Sequence, residues 1–153
     1  MAKIKALKDN EIFKSLSDPE VAALSKIVDE KSYPAGTAIF YENMKGEAMY
    51  IVVSGQVRLS KMLAEGEEKT LTVMGAGDYF GENALLEEGP RPVTAIVSQE
   101  STLLVIKRSA FNKLLDEAPK VAVKVILGMY QVLSGRIRKA SPKLQQMILE
   151  SGR

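Results

Sequence analysis

Hydrophobic and polar positions divide the chain into a helical beginning, a β-rich middle and a helical end. The tetrapeptide S-D-P-E at 17–20 has the pattern of a capping box, in which Ser17 begins a helix and Glu20 bonds back to it. Apolar residues follow at helical spacing, which predicts a helix from about Asp18 to Asp29. Phe13 and Leu16 indicate a short anchoring helix just before it.

Between positions 31 and 107 the pattern changes to short runs of β-forming residues separated by glycines. Two tripeptides, Ser54-Gly55-Gln56 and Glu65-Gly66-Glu67, are predicted to be hairpin turns, because glycine can adopt positive φ there. Strands at this regular spacing favour a small sandwich or a jelly-roll barrel. The predicted strands are Thr37–Tyr41, Ala48–Val53, Gln56–Met62, Lys69–Met74, Val93–Ser98 and Thr102–Ile106.

Two helices are predicted after the strands. Ser109 is expected to cap the first, and Pro119 suits the first turn of the second. The apolar positions of the second helix are numerous enough to form two adjoining seams, one of which can pack on the barrel. We expect the other seam, including Val125, Met129 and Val132, to pair with the same helix of a second subunit. The alternative is a helix buried within a single chain.

The end of the chain offers a hinge and one more helix. Ser134-Gly135 is a candidate hinge in the long helix. The given sequence ends at Arg153, so we expect no helix-turn-helix DNA reader within it. A further helix is predicted from Lys143 to Glu150, with Leu144, Met147 and Ile148 facing inward.

Composition narrows the class of protein. The chain has 153 residues, of which 46% are hydrophobic, and a formal net charge of +2 that is too small to indicate nucleic-acid binding over a broad face. It contains no histidine and no cysteine, so the usual zinc and haem ligands and any disulfide are missing. No apolar run approaches the roughly 20 residues of a membrane span, and no signal peptide is evident. We therefore expect a cytoplasmic protein with no metal, no membrane contact and no nucleic-acid partner.

The candidate chemistry lies in one stretch, F-G-E-N-A-L-L-E-E-G-P-R-P-V-T at 80–94. Gly81 leaves neighbouring backbone N–H groups accessible, and Glu82 beside it can accept hydrogen bonds from hydroxyls. Asn83–Leu86 has the pattern of one helical turn, whose first N–H groups can bind an anion. Arg91 adds a fixed charge suited to phosphate oxygens. This combination favours a site for a sugar phosphate; the alternative is a buried Glu–Arg pair in a turn.

The same stretch resembles the phosphate-binding cassette of the cyclic nucleotide-binding domain, which occurs in bacterial catabolite-activator-like regulators, kinase regulatory subunits and gated channels. That cassette reads roughly F-G-E-x-A-L, a short spacer, and then P-R-x-A-T. The sequence departs from it at Pro92 and Val93, where the family usually carries small residues. The matching residues are Phe80, Gly81, Glu82, Ala84, Leu85, Pro90, Arg91 and Thr94.

The resemblance implies an α+β, mainly β fold in one domain over residues 1–153. N-terminal helices (1–30) and C-terminal helices (109–153) would flank a double-stranded jelly-roll barrel (31–108), and the long helix would serve as lid and dimerisation helix. The implied function is regulatory and not enzymatic: the domain binds a cyclic nucleotide, with cAMP as the leading candidate, and signals to an unknown downstream protein through that helix, with no cofactor. The implied ligand-binding residues are Leu71, Val73, Phe80, Gly81, Glu82, Asn83, Ala84, Leu85, Arg91, Pro92, Val93 and Arg136.

The resemblance also implies a role for each part of the site. Glu82 accepts from the ribose 2′-hydroxyl, Arg91 and the N–H groups of 83–85 hold the cyclic phosphate, and Arg136 contacts the base. Leu71 and Val73 would form an apolar floor. An enzyme is disfavoured, because no nucleophile–base pair or metal cluster accompanies Glu82 and Arg91 in the sequence.

Pro92 bears on both affinity and base preference. Proline has no N–H, and the family usually donates one to the phosphate from this position. Family members tuned to cGMP often carry threonine or serine here, so we expect cAMP to be preferred. The alternative function is a degenerate fold that mediates dimerisation or partner docking without a ligand.

Overall fold

The computed structural model describes residues 2–63, 66–139, 146, 147, 149 and 150. Helices stand at both ends of a β-rich middle, as the pattern predicts. A 3-10 turn at Glu11–Phe13 lies between the first two helices. The helices are α1 (Ala2–Asp9), α2 (Asp18–Ser25), α3 (Asn83–Leu86), α4 (Arg108–Glu117) and α5 (Pro119–Arg138), and the strands are β1 (Val28–Tyr33), β2 (Ala38–Phe40), β3 (Ala48–Met62), β4 (Glu68–Met74), β5 (Tyr79–Phe80) and β6 (Thr94–Lys107).

The six strands form one antiparallel sheet in the order β1-β6-β3-β4, with β2 added to β6 and β5 added to β3. β3 and β6 are the longest strands, and they pair along most of their lengths. The predicted fold class, mainly β with flanking helices, is confirmed. That the chain is a single domain stays a prediction.

The hairpin predicted at Ser54–Gln56 is wrong. β3 continues through it and stays paired with β6 on both sides, with Ser54 opposite Thr102 and Gln56 opposite Gln99. Gly55 does adopt a positive φ of 93°, but it forms a bulge, and a Cβ there would collide with the Ser101 hydroxyl. A glycine in a strand pattern marks a bend of this kind as readily as a turn.

The second hairpin joins β3 to β4 as predicted. Met62 pairs with Glu68, the Leu63 N–H donates to the Glu67 carbonyl (2.6 Å), and Gly66 has a φ of 80°. Glu65, which belongs to the same predicted turn, lies outside the described residues.

The N-terminal capping box is present. The Glu20 N–H donates to the Ser17 hydroxyl (3.4 Å), and the Ser17 N–H donates to the Glu20 carboxylate (2.9 Å). The helix ends earlier than predicted, at Ser25, and Val28 begins β1. β1 escaped prediction because, after Val28, its next four residues are exposed and polar and show no alternation.

The C-terminal helices differ from prediction in their caps and in their buried face. Ser109 does not cap α4: Lys107 occupies the N-cap position, and its side chain makes no capping bond. Pro119 begins α5 as predicted. The seam assigned to a second subunit is wrong, since Val125 and Met129 are buried and Val132 packs partly against the same core. The exposed apolar residues of α5 are Val123, Leu127, Tyr130, Leu133 and Ile137.

Two hydrophobic clusters make up the core. One joins the N-terminal helices, α4 and α5 to the first residues of β3 and the last residues of β6. Phe13 and Phe111 are among its largest buried side chains. The other fills the barrel around Phe40 and Phe80. Of the predicted helix from Lys143 to Glu150, Leu144 and Ile148 lie outside the described residues, and Met147 is exposed and not inward.

Candidate functional site

A cavity of about 500 Å³ opens at the barrel end, between the sheet, α3 and the last turns of α5. A volume of this size suits a small organic ligand. Nine of the twelve residues predicted for the site line it: Phe80, Gly81, Glu82, Asn83, Ala84, Arg91, Pro92, Val93 and Arg136. The other three, Leu71, Val73 and Leu85, do not.

Leu71 and Val73 fail to line the cavity because of strand alternation. Val73 pairs with Arg58, whereas the flanking β4 residues Thr72 and Met74 pair with Leu59 and Val57, which are buried in the barrel. Leu71 and Val73 are 51% and 48% exposed. The apolar wall is provided instead by Phe40, Leu59 and Met74. Leu85 is fully buried in the core beneath α3.

Arg91 is the central charge of the cavity and is only 5% exposed. Its Nη2 donates to the Ala48 carbonyl (2.8 Å) and its Nη1 to the Gly81 carbonyl (3.4 Å). The guanidinium carbon lies 4.0 Å from the centre of the Phe40 ring, close enough for a cation–π contact. Burial lowers the pKa of Arg91 from its usual value, but an arginine remains charged at neutral pH.

The Nε atom of Arg91 is unpaired in the part of the chain that the structure describes. This atom is also buried. A buried donor without a partner is costly, and an anion that came within hydrogen-bond distance of Nε would relieve that cost.

Two glycines enclose the Arg91 guanidinium. A Cβ on Gly81, which has a φ of 74°, would lie 2.8 Å from Nη1 of Arg91. A Cβ on Gly46 would lie 3.2 Å from Arg91 Nε and 2.9 Å from the Ala84 Cβ. The sequence does not indicate this role of Gly46, since nothing near it signals a contact with a residue 45 positions away.

Backbone hydrogen bonds fix the position of the chain segment that carries Arg91. The Arg91 N–H donates to the Met44 carbonyl (2.6 Å), and the Asn43 N–H donates to the Arg91 carbonyl (2.8 Å). The Gly46 N–H donates to the Gly89 carbonyl (2.9 Å). The loop before β3 therefore runs beside the segment that carries the arginine.

The predicted phosphate donors of α3 are partly engaged. The Ala84 N–H donates to the Gly81 carbonyl (3.2 Å), and the Leu85 N–H donates to the Glu82 carbonyl (3.1 Å). Of the three, the Asn83 N–H is the one that makes no backbone bond within the described residues.

Carboxylates and a second arginine complete the cavity. Glu82, Glu87 and Glu88 line it, so a ligand of high negative charge would meet repulsion there. Arg136 reaches in from α5, with its guanidinium carbon 5.2 Å from the centre of the Tyr79 ring. Burial raises the pKa of Tyr79, an effect that the charge of Arg136 partly offsets. Among the described residues no cluster of acidic side chains has the spacing of a metal site.

Arg108 is a further residue that sequence reasoning missed. It begins α4 outside the cavity, and its Nη1 donates to the carbonyls of Gly46 (2.7 Å) and Ala84 (3.0 Å). No motif marks it, because its partners are distant in sequence.

The model of the cyclic nucleotide-binding domain family matches residues 30–118, more than half of the chain. The chain belongs to the cyclic nucleotide-binding domain family. The residues that enclose Arg91 lie inside the matched range, whereas Arg136 in α5 lies beyond it.

Relatives of this domain include both regulators and kinases. The chain is 33% identical over 147 residues to the "Cyclic AMP receptor protein" of Thermus thermophilus, covering 96% of this chain and 66% of that protein. It is 32% identical over 108 residues to the "cGMP-dependent protein kinase egl-4" of Caenorhabditis elegans, covering 69% of this chain and 14% of the kinase. It thus spans between 59% and 66% of the length of the first curated regulators that it matches.

A solved relative supports the fold. The regulatory domain of Toxoplasma gondii PKA, crystallised with cAMP, is 34% identical and superposes with a TM-score of 0.67 over 78% of this chain and 46% of that chain. Within the described residues, no helix of this cyclic nucleotide-binding domain is both long enough and apolar enough to cross a bilayer.

Proposed function

We propose that this cyclic nucleotide-binding domain is a regulatory module whose ligand is cAMP. The observation that carries the proposal is the buried Arg91, whose Nε has no partner among the described residues and which lines the same cavity as Gly81 and Glu82. A cyclic phosphate brings a single negative charge to this arginine, and the three nearby carboxylates disfavour a more highly charged ligand. The Thermus thermophilus relative is described as a cyclic AMP receptor protein, and the Toxoplasma gondii regulatory domain was crystallised with cAMP.

In this proposal Glu82 accepts a hydrogen bond from the ribose 2′-hydroxyl. Arg91 and the Asn83 N–H hold the phosphate, and Phe40, Leu59 and Met74 provide the apolar wall. Arg136 contacts the base from α5, releasing its contact with Tyr79 to do so. Leu71, Val73 and Leu85 have no direct contact with the ligand.

We further propose that α5 carries the signal. Its last turns line the cavity through Arg136, while its first half packs on the N-terminal helices and on α4. A ligand that binds better to one position of these last turns would shift the population of molecules toward that position, and whatever α5 contacts would respond. The contact in question is a second subunit or an unidentified downstream protein. A cytoplasmic location and the absence of enzymatic activity stay predictions.

The alternative is a domain that has lost its ligand. Two observations favour it: Pro92 lacks the N–H that the family usually donates, and two of the three predicted donors in α3 already bond Gly81 and Glu82. Losing one charge-assisted bond costs about 1.5–3 kcal/mol, or roughly one to two decades in affinity. That loss weakens a site that keeps Arg91 and Glu82 without abolishing it.

Calorimetric titration with cAMP, cGMP and a cyclic dinucleotide tests the proposal. We expect cAMP to bind, Glu82→Gln to weaken it, and Arg91→Lys to weaken it further, because an ammonium cannot reproduce the guanidinium's contacts with Ala48 and Gly81. Circular dichroism would establish that each variant is folded. If the folded wild type binds none of the three nucleotides, the ligand-free alternative is correct.

A further inference from the structure

Arg108 joins the two chain segments that enclose Arg91, although it does not itself line the cavity. Its side chain, 15% exposed, reaches from the first turn of α4. Nη1 donates to the Gly46 carbonyl at 2.7 Å and to the Ala84 carbonyl at 3.0 Å. Nη2 lies 3.5 Å from the Glu88 carboxylate, and the Arg108 N–H donates to the Glu47 carbonyl at 2.8 Å.

The two carbonyls that Arg108 holds belong to residues that pack around Arg91. Gly46 and Ala84 approach each other so closely that a Cβ on Gly46 would lie 2.9 Å from that of Ala84. Ala84 is also the second residue of α3, whose first N–H is a proposed phosphate donor. The position of Arg108 therefore sets the distance between α3 and the loop before β3.

The hydrogen bonds that Arg108 makes are expected to constrain the position of α3 strongly. α3 is a single turn, which is unstable by itself: the Asn83 carbonyl accepts from the Glu87 N–H (3.1 Å), whereas the Ala84 carbonyl accepts from Arg108. A guanidinium that donates to such carbonyls makes charge-assisted hydrogen bonds from a nearly buried position. A cation near the carboxyl end of a helix is also favoured by the helix dipole.

We propose that Arg108 is a positioning residue that holds α3 and the Gly46 loop in the geometry that binds the cyclic phosphate. This inference rests on the proposed function for its effect on affinity. The positioning itself can be observed in the free protein. Since Arg108 begins α4, which packs on α5, the same contacts tie the cassette to the helices that follow it.

The test compares Arg108→Ala, Arg108→Lys and the control Arg58→Ala. Arg58 is an arginine of β3 whose ion pair with Glu68 (2.6 Å) involves no residue that lines the cavity. In the free protein, amide hydrogen exchange by NMR at Gly46 and at residues 83–86 should speed up in Arg108→Ala and stay unchanged in Arg58→Ala. Affinity for cAMP should fall about tenfold or more in Arg108→Ala, as expected when one charge-assisted bond to the ligand is misplaced.

The lysine variant separates positioning from general stability. It keeps the charge and can bond one carbonyl, so its exchange rates and affinity should lie between those of wild type and Arg108→Ala. If Arg108→Ala does not fold, Arg108→Lys alone decides: normal exchange at residues 83–86 together with normal affinity would overturn the proposal. The same result in a folded Arg108→Ala would also overturn it. If wild type binds no cyclic nucleotide, the proposed function fails, while the exchange comparison still decides the positioning role.

Discussion

Single residues around Arg91 act through their size as much as through their charge. The guanidinium fits between Gly46, Gly81 and the Phe40 ring, and its two Nη groups bond backbone carbonyls. Space that two glycines leave open is therefore part of the site. Substitutions there should affect binding without changing any charged group.

Gly46→Ala should weaken cAMP binding by about tenfold or more. The new Cβ would lie 2.9 Å from the Ala84 Cβ and 3.2 Å from Arg91 Nε, so α3 or the guanidinium must move. Overpacking of this kind costs about 1–3 kcal/mol. Titration calorimetry measures the effect, with Gly75→Ala as control because a Cβ at Gly75 has open space around it. Equal affinities for the two variants would contradict this account of the cavity.

Because of Pro92, we predict that the site binds cAMP about tenfold or more tightly than cGMP. The guanine amino group would lie beside a proline ring, and an unpaired polar group costs about 1–3 kcal/mol. Thr94 offers no rescue, because it does not line the cavity and its hydroxyl is directed to the Glu42 N–H at 2.9 Å. Competition binding measures the preference.

Two substitutions of Pro92 separate the effect of the missing N–H from the effect of the missing hydroxyl. Pro92→Ala restores an N–H and should strengthen both nucleotides alike, whereas Pro92→Thr also adds a hydroxyl and should favour cGMP in particular. The account is wrong if wild type binds both nucleotides equally, or if Pro92→Thr and Pro92→Ala behave the same.

At the scale of secondary-structure elements, α5 packs so closely on the N-terminal 3-10 turn that the contact requires a glycine. Gly128 packs against the backbone of Ile12, and a Cβ there would overlap the Ile12 carbonyl oxygen. Gly135, about two turns later, has open space around it. The first half of the helix is therefore held against the N-terminal 3-10 turn, whereas the part after Ser134 is less constrained.

The two glycines of α5 make a matched pair for a stability measurement. Gly128→Ala should lower the free energy of unfolding by about 1–3 kcal/mol or more, through overpacking against Ile12. Gly135→Ala should raise it by up to about 1 kcal/mol, because alanine favours an exposed helical position. Chemical denaturation measures both. If Gly128→Ala is as stable as Gly135→Ala, α5 does not pack on the 3-10 turn.

An ion pair between α2 and α5 predicts a pH dependence of stability. Lys124 lies 2.8 Å from the Glu20 carboxylate, and this hydrogen bond is the main cause that lowers the pKa of Glu20 from 4.5 to about 2. A lowered folded-state pKa stabilises the fold above the unfolded value, and that contribution is lost as the pH falls from about 4.5 to about 2.

Lys124→Met should therefore reduce the loss of thermal stability over this pH range. The bond from the Ser17 N–H remains, so part of the dependence should persist. Melting temperatures across the range measure it, with Lys5→Met as control because that change removes an exposed pair with Asp9. A pH dependence identical to that of wild type would show that Lys124 does not set the pKa of Glu20.

At the scale of the whole molecule, α5 presents apolar side chains on two faces. One face packs on the core, and the other exposes Val123, Leu127, Tyr130, Leu133 and Ile137, with Tyr130 65% exposed. The spacing of Val123, Leu127, Tyr130 and Ile137 is that of a coiled-coil seam. A homodimer through the long helix stays a prediction, and we expect it to use this exposed face in place of the seam that the sequence suggested.

The double variant Leu127→Glu, Tyr130→Glu should be monomeric at concentrations where wild type is dimeric. Introducing like charges into an apolar seam opposes pairing, while the exposed positions leave the core unchanged. Sedimentation velocity measures the state, with Gln131→Glu as a control that adds one negative charge at an exposed polar position of the same helix. A wild type that sediments as a monomer at micromolar concentration would contradict the dimer.

Signals confined to a few neighbouring residues were sufficient to predict several secondary-structure elements and the family of this protein. Three predicted features depend on local backbone geometry: the capping box at Ser17–Glu20, the start of α5 at Pro119 and the turn at Gly66. The cassette was recognised from the order of its residues in one contiguous stretch. These features were predictable because the residues that form them are adjacent or nearly so. The family follows from the same contiguous motif.

Contacts between distant segments were decided by the tertiary structure. Gly55 could form a turn or a bulge, and only the pairing of β3 with β6 selects the bulge. Val125 and Met129 could face a partner or the core, and only the docking of Gly128 on Ile12 turns them inward. Arg108 likewise reaches the cassette only because α4 starts beside Gly46 and Ala84. A linear pattern states which residues are apolar or charged, but which of them meet depends on how the barrel closes and where the helices pack on it.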